Sequence, residues 1–245
     1  MRLYFQHTAG RITNTDWQYT PVYATFEEFE KQNALETGWL PHEYEEDLWF
    51  QARQVRYSLN ELSFAKRHKI PSRIDFEIVD HLKNWSSYEE IWDTYLEKKG
   101  FPNSLALRDL FKIDPEDKRI LEVYDYDELV AFSILRMEPA PVSLQFAWTY
   151  HDPKLSLGIH CQYFELNYFK DLGYSHNYVC PGYERTCIWK SRFPGFEFWT
   201  GTTWSQDKTA YAKLCERDSN LKEMDDLEET DMLPMMRNKK LIHNW

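Results

Sequence analysis

Read for apolar and polar periodicity alone, the chain gives a helical half-pattern, a run of alternating segments, and a second strong helix. Met1 to His7 reads as a short strand entering a turn at Gly10, and Tyr19 to Thr25 also has strand character. Thr25, with Glu28 three residues on, offers a capping box for a helix from Phe26 to about Leu35, stopped by Thr37-Gly38. From Trp49 to Tyr57 the residues alternate: Phe50, Ala52, Gln54 and Arg56 on one face, Gln51, Arg53, Val55 and Tyr57 on the other. Asn60 is placed to cap a short helix towards Lys69, and Pro71 stops it. Ser86 to Gly100 is the clearest helix, with Ser87 and Glu90 as a capping box and Tyr88, Ile91, Trp92, Tyr95 and Leu96 as its apolar stripe. A shorter helix is expected from Asn103 to Phe111.

Three alternating segments then follow one another. Arg119–Tyr124 and Leu129–Met137 flank a DYDE turn and read as a β-hairpin, and Val142–Tyr150 places Val142, Leu144, Phe146 and Trp148 on one face. The Asp152-Pro153 turn leads into a helix from Ser156, with Leu157, Cys161, Phe164, Tyr168 and Leu172 on one stripe and Gly173 at its end. Asn177–Cys180, Thr186–Arg192 and Phe196–Thr200 are expected as further strands. From Ser205 the pattern predicts one helix and then an acidic tail. The boundaries predict an N-terminal subdomain over 1–80, a core over 81–204 and a C-terminal segment over 205–245.

Composition narrows the class. The 245 residues are 42% hydrophobic and 17% aromatic, enough to bury a core. The net charge of −11 and pI near 5.2 argue against broad, non-specific binding of nucleic acid, because like charges repel the phosphate backbone. A local basic patch remains open. Glu27 to Asp47 holds eight acids against Lys31 alone, and the next stretch reverses sign with Arg53, Arg56, Lys66, Arg67, Lys69 and Arg73. Those cations either pair with the acids before them or form an anion-binding wall.

Familiar catalytic signatures are missing. There is no P-loop, GxGxxG, HExxH or GxSxG, so their chemistries lose their usual support. The eight histidines include no i, i+4 pair, and Cys161, Cys180, Cys187 and Cys215 form no CxxC. No metal site is expected from these spacings. Neither a signal peptide nor an apolar run of bilayer length is present, which suggests a cytoplasmic chain that does not enter a membrane.

The order of elements carries more. Three antiparallel strands, a helix with a small first turn and a further strand give an α/β (α+β) expectation: a GNAT-like, mainly antiparallel sheet flanked by helices, with a smaller N-terminal subdomain. Where acetyl-CoA users of that fold carry an Arg/Gln-x-x-Gly-x-Gly/Ala turn, this chain has Leu155-Ser156-Leu157-Gly158-Ile159-His160. Tyr150-x-Asp152-Pro153, Ser156-Leu157-Gly158, the tyrosine-rich strand before Gly182-Tyr183, and Trp189-Lys190-x-x-Phe193-Pro194 resemble, in order, the C-terminal half of the arginyl- and leucyl-tRNA–protein transferases. Gly38-Trp39, Arg53-x-x-Arg56 and Ser63-x-x-Lys66-Arg67 are similar to that family's upstream pattern. The family's N-terminal cysteine motif is absent, so no metal or cluster is expected there. Its Tyr-Leu-Gly-Tyr strand is replaced by Tyr178-Val179-Cys180-Pro181-Gly182-Tyr183.

The resemblance implies transfer of an aminoacyl group, of the arginine or leucine type, from the acceptor end of an aminoacyl-tRNA. The receiving amine would belong to a protein N-terminus, a peptide or a small acceptor. No cofactor is implied beyond the charged tRNA as co-substrate. Tyr150, Asp152 and Lys190 are the expected catalytic residues. Arg53, Arg56, Ser156, Leu157, Gly158, Tyr183 and Trp189 are the expected substrate-binding ones. Two other readings stay open: a CoA-dependent N-acyltransferase and a GNAT-like domain that only binds.

Overall fold

The structure, a computed structural model, describes residues 2–5, 22–42, 47–51, 54–64, 68–81, 84–99, 106–112, 115–179 and 185–218. In chain order its strands and α-helices are β1 (Arg2–Phe5), β2 (Val22–Thr25), α1 (Lys31–Glu36), β3 (Trp39–Pro41), β4 (Leu48–Gln51), β5 (Val55–Ser58), β6 (Ile74–Val79) and α2 (Trp85–Lys99). There follow β7 (Lys118–Asp125), β8 (Glu128–Arg136), β9 (Val142–Trp148), α3 (Leu157–Asp171), β10 (His176–Val179), β11 (Phe196–Trp199), β12 (Trp204–Ser205) and α4 (Lys208–Asp218). The protein is mixed α/β, with mainly antiparallel sheet and flanking helices. It divides into two compact units, Met1–Tyr57 with Val179–Trp245, and Ser58–Tyr178.

In the first unit a four-stranded antiparallel sheet runs β1-β2-β4-β3, and β11 pairs with both β12 and β5. Cross-strand register sets Arg56 opposite Glu197. The expected capping box at Thr25 is shifted by two residues: Glu30 accepts a bond from the Glu27 N–H at 3.0 Å and starts a 3₁₀ turn that leads into α1. Gly38 ends that helix as expected and has a second reason to be glycine. With φ +80°, a Cβ there would lie 2.4 Å from the Trp199 ring. The expected strand over Thr186–Arg192 is instead a 3₁₀ helix, Arg185–Arg192. Its buried ring contacts explain this, because Trp189 and Phe193 stack edge to face, as do Phe193 and Tyr57. The phenol of Tyr211 on α4 donates to the Cys187 carbonyl at 3.4 Å.

The second unit contains the order expected of a GNAT-like core: β7, β8 and β9 in antiparallel succession, then α3, then β10 beside β9. Strand β6 extends this sheet against β7. The alternating IDFEIV stretch encodes it, although a basic segment and Pro71 precede it. On β8, Phe132 and Ser133 point to opposite faces because side chains alternate along a strand. Tyr88 of α2 stacks edge to face on Phe132 at 5.5 Å, whereas Glu165 of α3 bonds the Ser143 and Ser133 hydroxyls. The two helices therefore cover opposite faces of this sheet.

Helix α2 begins at Trp85 rather than at a Ser87 cap. Asn84 takes the capping position, bonded by the Ser86 hydroxyl at 2.7 Å and itself donating to Ser87 at 2.9 Å. Of the expected Asn103–Phe111 helix, residues 103–105 lie outside the described residues, and Leu107–Phe111 is a 3₁₀ turn. The buried face of α3 is also rotated from the expected stripe. It contains Leu157, Cys161, Gln162, Glu165, Leu166 and Phe169, while Leu172 is exposed. Periodicity missed this because two of the buried positions are polar, held by a hydrogen-bonded cluster under the helix.

Candidate functional site

The segment between β9 and α3 brings together five of the expected residues: Tyr150, Asp152, Ser156, Leu157 and Gly158. Strand β9 breaks at Tyr150, which has φ 59°. For a bulky aromatic that conformation is costly, on the order of 1–3 kcal/mol. Stacking offsets it: the Tyr150 ring lies 4.0 Å from that of Trp148 and 6.4 Å from that of Tyr95 on α2. Burial pushes the Tyr150 phenol pKa up, against a smaller opposing effect from its hydrogen bond with Trp148. The phenol is therefore a proton donor at neutral pH.

Asp152 caps the 3₁₀ turn Pro153–Leu155 by accepting from the Lys154 N–H at 3.2 Å. Its other oxygen accepts from Arg73 Nη2 at 2.9 Å. With both oxygens engaged, this carboxylate orients the loop. Ser156 then adopts a left-handed conformation, φ 54°, and turns the chain into α3. Leu157 is fully buried, and Gly158 sits over Phe146, whose ring would be 3.4 Å from an added Cβ. First-turn amides of a helix have no partner within it, and the macrodipole adds positive potential there. The start of α3 thus has the means to hold developing negative charge.

Arg73, which sequence reading counted only as one member of a basic run, is the organising cation. Its Nε pairs with Asp125 Oδ1 at 3.1 Å while Nη2 reaches Asp152. Asp125 Oδ2 in turn meets His151 Nε2 at 2.9 Å, and His151 Nδ1 meets the Thr149 hydroxyl at 3.0 Å. Asp125 comes from the far end of β7, so neither spacing nor periodicity links it to Thr149 and His151. A histidine pair lies at the first turn of α3: His68 Nε2 and His160 Nδ1 are 2.7 Å apart, and His68 stacks on Tyr163 at 4.1 Å. Burial lowers the pKa of both imidazoles.

The remaining expected residues belong to the first unit. Arg56 is nearly buried and its guanidinium is engaged, with Nε 2.6 Å from Glu197, Nη1 2.7 Å from Glu36 and the Trp204 ring at 4.3 Å. Pairing between the basic strand and the acids before it is therefore present at Glu36. Lys190 is buried on the 3₁₀ helix, and its carbonyl accepts from the Tyr57 hydroxyl at 3.1 Å. Trp189 packs on Phe193. Arg53 and Tyr183 lie outside the described residues, as do Lys66, Arg67, Gly100, Cys180, Gly182 and the acidic segment beyond Asp218. Cys161, Cys187 and Cys215 are buried thiols, and burial raises the Cys161 thiol pKa well above its usual range, which suits inert packing. No group of three or more potential metal-ligating side chains occurs among the described residues. None of the described helices is long and apolar enough to cross a membrane.

No family model matches the chain, and no curated protein matches it. Among solved structures it is similar to the C-terminal domain of a candidate lysylphosphatidylglycerol synthetase from Agrobacterium fabrum, at TM-score 0.42 and 11% identity, over 63% of this chain and 51% of that one. The chain thus spans about half the length of that domain. It is also similar to a conserved protein of unknown function from Staphylococcus epidermidis, at TM-score 0.36 and 11% identity, over 71% of this chain and 67% of that one. Neither likeness identifies a substrate or a site.

Proposed function

We infer that the chain is an aminoacyltransferase that moves an amino acid, of the arginine or leucine type, from aminoacyl-tRNA to an amine. The acceptor is a protein N-terminus, a peptide or a small molecule. One observation carries the reading: the Tyr150–Gly158 segment, identified by its resemblance to the tRNA–protein transferases, forms a braced loop that presents the first turn of a 15-residue helix. Two left-handed non-glycine residues and a carboxylate clamped by Arg73 fix its path.

The chemistry asks little more. An aminoacyl ester is already activated, so holding the amine against it and stabilising the oxyanion supply most of the acceleration. The Leu157 and Gly158 amides and the Tyr150 phenol are the donors for that oxyanion. Asp152 keeps the loop in place. By resemblance alone, Lys190 is a further group for stabilising charge and Arg53, Tyr183 and Trp189 are groups for binding substrate, whereas the Arg56 guanidinium is occupied by Glu36 and Glu197.

The test is transfer of labelled amino acid from a pool of charged tRNAs to acidic-N-terminal peptides and small amines. Transfer from one donor class is the expected result. No transfer from any charged tRNA, together with acetyl-CoA binding by calorimetry, would replace this reading with a CoA-dependent one. No transfer and no CoA binding would leave a domain that only binds.

A further inference from the structure

We propose that Thr149, His151 and Asp125 form a proton relay that takes the proton released when the acceptor amine attacks the ester. The proposal rests on the aminoacyltransferase reading and assigns a function to three residues outside the resemblance.

The tautomer follows from the partners. An ionised carboxylate only accepts hydrogen bonds. Asp125 Oδ2 lies 2.9 Å from His151 Nε2, so Nε2 carries the hydrogen. The other ring nitrogen, Nδ1, then offers a lone pair to the Thr149 hydroxyl at 3.0 Å, which donates to it. The array is hydroxyl to imidazole to carboxylate, the arrangement that polarises a hydroxyl in hydrolases, with the two ring nitrogens exchanged.

Each member is held. The Thr149 N–H donates to the Val130 carbonyl at 3.0 Å, anchoring the hydroxyl at the end of the sheet. Asp125 is almost buried and paired with Arg73 Nε. Tyr150, between the two relay side chains, occupies the strained left-handed region described above. The charged groups around the imidazole are Asp125, Arg73 through that carboxylate, and the neighbouring Asp152. Asp152 accepts from Arg73 and from the Lys154 amide and no hydrogen bond between it and the imidazole is present among the described residues, so it lies outside the relay. The Thr149 and His151 side chains are solvent-accessible and precede the first turn of α3 by fewer than ten residues.

The step balances. As the neutral amine forms its C–N bond to the ester carbonyl, an amine proton passes to Thr149 Oγ1 and the Thr149 proton passes to His151 Nδ1. The resulting imidazolium faces Asp125. When the ester C–O bond breaks, the departing ribose hydroxyl recovers that proton along the same path, and the relay returns to its starting state. Thr149 meets the substrate, while His151 and Asp125 act through it.

Three measurements on the full chain decide it. Thr149→Val and His151→Gln should lower kcat about 10²-fold, with the KM for charged tRNA nearly unchanged, while Thr149→Ser retains activity within a few-fold. The Thr149→Val, His151→Gln double variant should lose no more than either single variant, because members of a relay act as a unit. Nitrogen-resolved NMR of the His151 ring should show hydrogen on Nε2 and none on Nδ1. An active wild type whose Thr149→Val and His151→Gln variants keep its rate, or whose double variant loses the sum of two independent effects, overturns the relay alone, and so does hydrogen on Nδ1. A wild type inactive with every charged tRNA overturns the aminoacyltransferase reading, and the relay's role falls with it.

Discussion

Single residues carry much of what braces the first unit. Arg56 shows how a buried cation is held: two carboxylates at 2.6 and 2.7 Å and an indole face surround a side chain only 10% exposed. Removing one partner of such a cluster strands the others in a poorly solvated place. Arg56→Met should therefore cost about 3 kcal/mol, read as a lower urea midpoint with an unchanged slope. A loss within experimental error would mean that desolvation cancels the Coulombic gain and the cluster adds no net stability. Gly38 is constrained twice, by its left-handed backbone and by the Trp199 ring. Gly38→Ala should destabilise by roughly 2–3 kcal/mol, combining the cost of positive φ with displacement of a packed ring. Urea titration of that variant checks it; a neutral effect would show that Trp199 gives way.

At the scale of elements, α3 is the test case for both prediction and reading. Its buried face includes Glu165, whose carboxyl accepts from the Ser143 hydroxyl at 2.5 Å, the Gln162 amide at 3.2 Å and the Cys161 thiol at 3.3 Å. Burial raises its pKa, outweighing the hydrogen bonds from Ser133, Ser143 and Cys161, which favour the charged form. The sign follows directly. Its stability contribution is complete below the ordinary carboxylate pKa and is lost as pH rises through the raised value of the folded state. Glu165→Gln should remove that slope, so wild type and variant should diverge in melting temperature as pH rises from about 4 towards neutrality, the variant being favoured. Parallel curves would show Glu165 ionised in the fold. The same helix marks where sequence reading stops. The β7–β8–β9–α3–β10 order was legible because alternation, the DYDE turn and the Asp-Pro turn are local signals. The face of α3 was not, because Glu165 and Gln162 are buried by partners on β8, β9 and β10. The Arg185–Arg192 segment has strand-like residues but is held helical by Tyr57, Trp189 and Phe193. In the site, Tyr150, Asp152 and Ser156–Gly158 were legible as a contiguous motif. Arg73 and Asp125 reach it only through folding.

For the molecule as a whole, charge decides how a tRNA could be held. A net charge of −11 makes an extended phosphate footprint unfavourable, and four of the described arginines are already paired with carboxylates. Arg56 is enclosed by carboxylates, Arg73 bridges Asp125 and Asp152, and Arg108 and Arg119 pair with Glu89 and Asp80. An enzyme of this charge that uses charged tRNA must therefore grip the acceptor end, where the reactive ester is, and leave the rest of the nucleic acid in solvent. Each phosphate neutralised at a single-stranded end contributes a slope of about −0.7 to a plot of log affinity against log salt. A contact with one to three phosphates should give a slope between about −0.7 and −2. An aminoacylated minihelix lacking the anticodon arm should then serve as donor about as well as intact charged tRNA, with kcat/KM within a few-fold. A much steeper slope together with a large loss on truncation would place the tRNA along an extended surface, which the charge of this chain opposes.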